Sequence, residues 1–148
     1  MKSKAKTYAL KLLSMKDRSE NEVRSKMTAK GYSETEIAET LESLKQADLL
    51  NDLKTAKSLL RYLEDTKLLS RRACINYLKT KGITDNLIEE LDFSESKEIE
   101  KAKNFLEKKR IDKTKYTQNM YNNKIYTLLQ RRGFDSEIII HVIKENDS

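Results

Sequence analysis

Lys30-Gly31-Tyr32-Ser33 is the first of three copies of one short phrase, and how it is read decides the fold. The second copy is Lys81-Gly82-Ile83-Thr84 and the third is Arg132-Gly133-Phe134-Asp135; their glycines, the only three in the chain, lie 51 residues apart each time. Equal spacing at such a period marks a repeat. A glycine just past a helix end takes the left-handed conformation that satisfies orphan carbonyls, and Ser, Thr or Asp two residues on accepts from the first turn of the next helix. The hydrophobic residue between them is then a staple, whose partner four residues beyond the cap is Ile37, Ile88 or Ile139. Each phrase therefore reads as helix, stop, cap, helix.

The register extends upstream. Val23, Cys74 and Ile125 share one slot, and Met27, Leu78 and Leu129 share the slot four residues later, so each pair forms the apolar stripe of the helix that the glycine ends. A further helix precedes it in every unit, at Ala9-Leu10-Lys11-Leu12-Leu13, Ala56-Lys57-Ser58-Leu59-Leu60 and Ala102-Lys103-Asn104-Phe105-Leu106. Here the spacing drifts to 47 and 46, so the connection lengthens along the chain, and its longest version runs from about Arg110 to Thr117. The expected helices are 4–17, 19–30, 33–48, 52–67, 70–81, 84–92, 95–110, 117–132 and 135–145. Ala5, Tyr8, Ala9, Leu12 and Leu13 share one face of the first, and Ser19-Glu20-Asn21-Glu22 and Ser33-Glu34-Thr35-Glu36 are capping boxes. The expected class is all-α, with three tandem three-helix, helix-turn-helix-like bundles at 1–51, 52–95 and 96–148. Units this small need neighbours, so they are expected to dock as one continuous structural unit, an elongated, curved rod.

Composition agrees. Of 148 residues, 37% are hydrophobic and 36% charged, with no proline; a domain of average usage carries roughly 7% Gly and 5% Pro, so a tight-turned β-sandwich or barrel is disfavoured. A lone cysteine makes no intrachain disulfide, and no apolar run approaches the roughly 18 residues of a membrane span. The start, Met1-Lys2-Ser3-Lys4-Ala5-Lys6, is basic but lacks the apolar segment of a signal peptide. These features read as a soluble, cytoplasmic monomer with no membrane partner.

Catalytic chemistry finds little foothold. Cys74 occupies the slot of Val23 and Ile125, which reads as a buried structural thiol. His141 falls in the slot of Glu39 and Glu90, an exposed face. Each glycine is isolated, so no phosphate-cradling loop exists, and paired acids such as Glu89-Glu90 read as a solvated face. No enzyme, cofactor or metal is expected.

Positive charge is the informative chemistry. Thirty Lys and Arg against twenty-four Asp and Glu give +6, and the excess is uneven. Between Lys101 and Arg132 stand Lys101, Lys103, Lys108, Lys109, Arg110, Lys113, Lys115, Lys124, Arg131 and Arg132 against only Glu107 and Asp112, a local +8. Tyr116, Tyr121 and Tyr126 are interleaved, the combination that phosphate neutralisation and base stacking use. Tyr116 and the ten cations are candidate contacts for an anionic partner. Arg71 and Arg72 join them, because cations that open a helix oppose its dipole. Asn51-Asp52 reads as a plain N-cap.

The ordered set of signals resembles the RecX family of bacterial RecA modulators. The matching residues are Ala9 with Leu12-Leu13, Ser19-Glu20-Asn21-Glu22-Val23, Lys26-Met27 and Lys30-Gly31-Tyr32, then Leu49-Leu50-Asn51-Asp52 and Ala56. They continue with Leu78-Lys79-Thr80-Lys81-Gly82-Ile83 and Leu128-Leu129-Gln130-Arg131-Arg132-Gly133-Phe134, so the resemblance runs from about Tyr8 to Ile143. Two departures touch the packing of the second unit: Thr55 stands where the family usually has an aromatic, and Leu69-Ser70-Arg71 replaces a commoner glycine-containing turn. The resemblance implies a non-enzymatic regulator in DNA repair, recombination and the SOS response. Such a protein binds the RecA filament on single-stranded DNA, touches single- or double-stranded DNA weakly or through RecA, and inhibits RecA's ATPase, strand exchange and co-protease activity. The alternative from the residues is a stand-alone DNA-binding protein using its helix-turn-helix-like units.

Overall fold

The computed structural model describes residues 3–147; the basic start at Met1-Lys2 and the final Ser148 lie outside the described residues. Among the described residues the chain is helical throughout, with α1 Lys4–Met15, α2 Glu20–Lys30, α3 Glu34–Gln46, α4 Asp52–Asp65, α5 Arg71–Thr80, α6 Asp85–Glu89, α7 Glu95–Lys109, α8 Gln118–Arg132 and α9 Ser136–Asp147. The predicted helices are all present, shorter by a residue or two at most ends. The long connection after α7 holds one element that the periodicity does not announce, a single 3-10 turn at Lys113–Lys115. Asp112 closes it by accepting from the Thr114 N–H at 3.0 Å and the Thr114 hydroxyl at 2.6 Å, bonds that hold the Asp112 carboxyl below its ordinary range.

All three glycines close their helices alike. Gly31, Gly82 and Gly133 have φ of 102°, 81° and 98°. Each donates to the carbonyl three residues back, and the next residue reaches five back: Tyr32 to Met27, Ile83 to Leu78 and Phe134 to Leu129, at 3.2, 3.1 and 3.0 Å. That paired closure is the Schellman motif, with its apolar contact supplied by the same residues. Ser33 and Thr84 then cap the following helices, accepting from Glu36 and Leu87, whereas the Asp135 carboxylate, expected to cap α9, pairs instead with Arg72. The staple partners Ile37, Ile88 and Ile139 are buried, as are all six residues in the two shared slots upstream. At the turn before α5, where a glycine is replaced, Leu68 takes the left-handed conformation itself at φ 53°, and Ser70 caps α5 by accepting from the Ala73 N–H at 3.1 Å.

The chain forms two compact units, Met1–Leu59 with Leu78–Leu91, and Leu60–Tyr77 with Asp92–Ser148. In the first, α1, α2 and α3 pack on one another around Ala9, Leu12, Val23, Met27, Ile37, Leu41 and Leu44. The buried Arg18 donates from Nε to the Leu12 carbonyl at 3.1 Å and from Nη1 to Glu22 at 2.6 Å, satisfying an orphan carbonyl near the end of α1. Asn51 caps α4 by accepting from the Lys54 N–H at 3.1 Å. In the second unit α9 packs on α7 and α8 around Ala102, Ile125, Leu129, Phe134, Ile139 and Val142.

Cys74 is fully buried, as its register slot predicts, and burial pushes its thiol up to about 11. Only on the order of one thiol in a thousand is then ionised at pH 8. The native protein is expected to be silent toward a thiol-disulfide reagent at pH 8 and to react fully once unfolded in denaturant; fast labelling of the native chain would refute a structural role.

Candidate functional site

The candidate cations belong to six short stretches of the second unit, and local folding explains part of their placement. Lys108 and Lys109 occupy the last turn of α7, and Arg131 and Arg132 the last turn of α8, where positive charge offsets the carbonyl end of the helix dipole. Arg110 ends α7 in the left-handed conformation, at φ 49°. Lys113 and Lys115 bracket the 3-10 turn, and Lys124 lies inside α8.

Several of these cations lie on aromatic rings. Lys109 Nζ and Arg132 Cζ approach the same Phe105 ring, at 5.3 and 4.8 Å from its centroid, which brings the ends of α7 and α8 together. Lys113 lies 5.1 Å from the Tyr121 ring and Lys124 lies 5.6 Å from Tyr116. Cation–π contacts of this kind hold long side chains in place without neutralising their charge. Charge and rings are thus brought together as the interleaved sequence suggests, with Phe105 as the member that sequence reasoning missed. Its signal was available: Phe105 stands four residues before Lys109 on the same helix.

Two candidates are engaged within the unit instead. Lys101 is a correction to the charge-based list: its side chain is 1% exposed, and its ammonium meets Glu64 at 2.8 Å and Glu98 at 2.6 Å. Position 101 shares the apolar side of α7 with Ala102, and burying an ammonium there requires carboxylate partners, which α4 and the preceding turn of α7 supply. Its charge is spent inside the protein. Arg132 donates from Nη2 to the Lys67 carbonyl, and its Nε is buried without a hydrogen-bond partner, so this guanidinium supports the fold while stacked on Phe105.

The remaining cations are exposed. Lys103 pairs with Glu145, whose carboxyl is held low chiefly by that contact and also by His141. Arg72 pairs with Asp135 at 2.9 Å, both well exposed, a contact worth little in water. Arg71 lies over the Phe93 ring at 5.4 Å, and its backbone N–H donates to Glu98 at 2.7 Å, so a carboxylate answers the two cations that open α5. Lys108, Lys109, Arg110, Lys113, Lys115, Lys124 and Arg131 are exposed and Tyr116 is half-buried. A shallow groove along α8 is lined by Tyr116, Met120, Asn123, Lys124, Leu128 and Arg131 among others. Among the described residues no group of three or more His, Cys, Asp or Glu could hold a metal ion, and no helix is long and apolar enough to cross a membrane.

An all-helical chain built on a recurring three-helix unit, with charge and aromatic rings as its distinctive surface chemistry, falls in the class of helical-repeat proteins. The family model for "RecX, first three-helix domain" matches residues 5–44, and that for "RecX, third three-helix domain" matches residues 96–143. The chain belongs to the RecX family. "Regulatory protein RecX" of Finegoldia magna is 34% identical over 88% of this chain and 65% of its own length, so the chain spans about two thirds of that relative. The protein of the same name from Chlorobaculum tepidum is 31% identical over 97% of this chain and 88% of its own. The crystal structure of RecX from Lactobacillus salivarius superposes with a TM-score of 0.89 at 29% identity, covering 97% of this chain and 95% of that one.

Proposed function

We propose that this protein is a non-enzymatic, cytoplasmic regulator that binds the RecA filament on single-stranded DNA. There it inhibits RecA's ATP hydrolysis, strand exchange and co-protease activity, and so modulates recombination and repair. Membership of the RecX family over nearly the whole chain is the observation that carries this reading. The exposed cations of the second unit supply a surface on which the DNA phosphates and the filament share the contact, with DNA affinity weak or dependent on RecA. Inhibition follows from occupancy: a monomer made of three tandem repeats, 1–51, 52–95 and 96–148, bridges successive protomers and hinders the motions that couple ATP turnover to strand exchange.

The stand-alone helix-turn-helix reading has less support. Its recognition helix in the third repeat would be α9, where Glu137 and Glu145 are exposed against the single cation Lys144, and an excess of acidic side chains opposes entry into a phosphate-lined groove.

The test is RecA's DNA-dependent ATPase. Stoichiometric protein is expected to suppress it. Replacing Lys108, Lys109, Arg110 and Arg131 with Gln, and leaving Arg132 in its structural place, is expected to weaken inhibition and flatten its salt dependence without loss of helicity. An ATPase unchanged by the wild-type protein would end this reading, and full inhibition by the variant would move the interface away from these cations.

A further inference from the structure

We propose that the groove along α8 is a subsite for single-stranded DNA, with an unpaired base laid against Tyr116 and Met120 and the flanking phosphates on Lys124 and Arg131. The choice of DNA as the strand rests on the function proposed above; the groove's chemistry stands on its own residues.

Helix α8 carries two stripes. One, through Ile125 and Leu129, is fully buried. The other, Met120, Lys124, Leu128 and Arg131, recurs at helical spacing on the open side, with Asn123 beside it. A helix side with no task is usually charged or polar throughout, yet here Met120 is 56% exposed at one end of the stripe and the half-buried Tyr116 continues the apolar floor. The groove encloses about 410 Å³, within the size range of small-ligand sites.

Charge selects the occupant. Two cations and no acid line this groove, which complements a phosphodiester strand. Two other grooves differ in that respect. The one of about 600 Å³ at α7 and α9 is lined by Lys103 and Arg110 but also by Glu107 and Glu145. In the groove of the first unit, Glu22 already pairs with Arg18 and Lys81. Tyr116 offers a ring on which any base stacks once Lys124, whose ammonium lies over it at 5.6 Å, swings onto the adjoining phosphate. Asn123 offers both a donor and an acceptor to a base edge. Stacking on a side chain requires a base free of a duplex, so the strand is single.

The experiment measures binding of fluorescein-labelled oligothymidylate by anisotropy at low salt, with RecA ATPase inhibition followed in parallel. Met120→Glu places an acid at an exposed site where folding is insensitive, and Tyr116→Leu keeps apolar bulk while removing the ring. Each is expected to weaken oligothymidylate binding about tenfold, the scale of one lost stacking contact. Lys54→Gln, which makes the same unit change of charge at an exposed site in the first unit, leaves affinity unchanged. Lys124→Gln and Arg131→Gln each lower the salt slope by about 0.7. Oligothymidylate affinity unaltered in both groove variants overturns the subsite even if the wild-type protein inhibits RecA. Loss of inhibition with intact oligothymidylate binding makes the groove a protein contact and also overturns it. If the wild-type protein leaves the ATPase unchanged, the proposed function fails while the anisotropy series still decides the groove.

Discussion

Gly82→Val is expected to destabilise the protein by about 3–5 kcal/mol, clearly more than the same change at Gly31. Two effects add at Gly82. The residue sits at φ +81°, where an L side chain costs about 1–2 kcal/mol and a β-branched one more. A Cβ placed there would also lie 2.4 Å from Asn21 Cβ and 2.8 Å from Asn21 Nδ2. Asn21 Cβ is fixed to the backbone of α2, so relief requires α2 and the end of α5 to separate, and overpacking of this kind costs about 1–3 kcal/mol. Gly31 has an even larger φ of +102° but nothing within 4 Å. Gly31→Val therefore reports the backbone strain alone, and the difference in urea midpoint at constant slope isolates the contact with Asn21. Equal midpoints would show that α2 yields freely at this point. Should Gly82→Val fail to accumulate, the Gly82→Ala and Gly31→Ala pair tests the same ordering.

That contrast marks how far a sequence reading reaches. The three glycines, the caps at Ser33 and Thr84 and the shared slots at Val23, Cys74 and Ile125 were legible because each is set by residues within one or two turns. Backbone closure and helical period are local physics, so one helix stop written three times closes three times alike, while the third cap residue, Asp135, is drawn to Arg72 across 63 residues of chain. What each glycine approaches was not legible. Gly82 meets Asn21, and a Cβ at Gly133 would lie 2.8 Å from the hydroxyl of Ser70, the cap of α5, across 61 and 63 residues of chain that no spacing rule connects. The 3-10 turn escaped for a related reason: three residues closed by an Asp112 side chain carry no period. Of the candidate site, the richness in cations and rings was visible, and so were the tyrosines; which cations are committed inside the protein was not.

Lys101 is the sharpest case, and its removal is expected to be among the most damaging single changes in the second unit. Counting charges along the chain places it with Lys103, Lys108 and Lys109, and nothing near it in sequence except Glu98 hints otherwise. In the fold it is 1% exposed and holds both Glu64, 37 residues away, and Glu98. The two carboxylates are themselves only 11% and 12% exposed, so deleting the ammonium leaves two like charges facing each other with little water. Breaking a buried ion pair from one side costs about 3–5 kcal/mol. For a chain of this length, that should lower the melting temperature of Lys101→Ala by about 10 °C or more. Lys103→Ala, at a site nearly half exposed whose partner Glu145 on α9 is exposed too, is expected to stay within about 0.5 kcal/mol of wild type. Adding Glu64→Gln to Lys101→Ala separates lost charge from lost packing, because it removes one of the two facing charges. Partial recovery of stability at pH 7 is the expected result, and no recovery would show that the carboxylates do not repel each other.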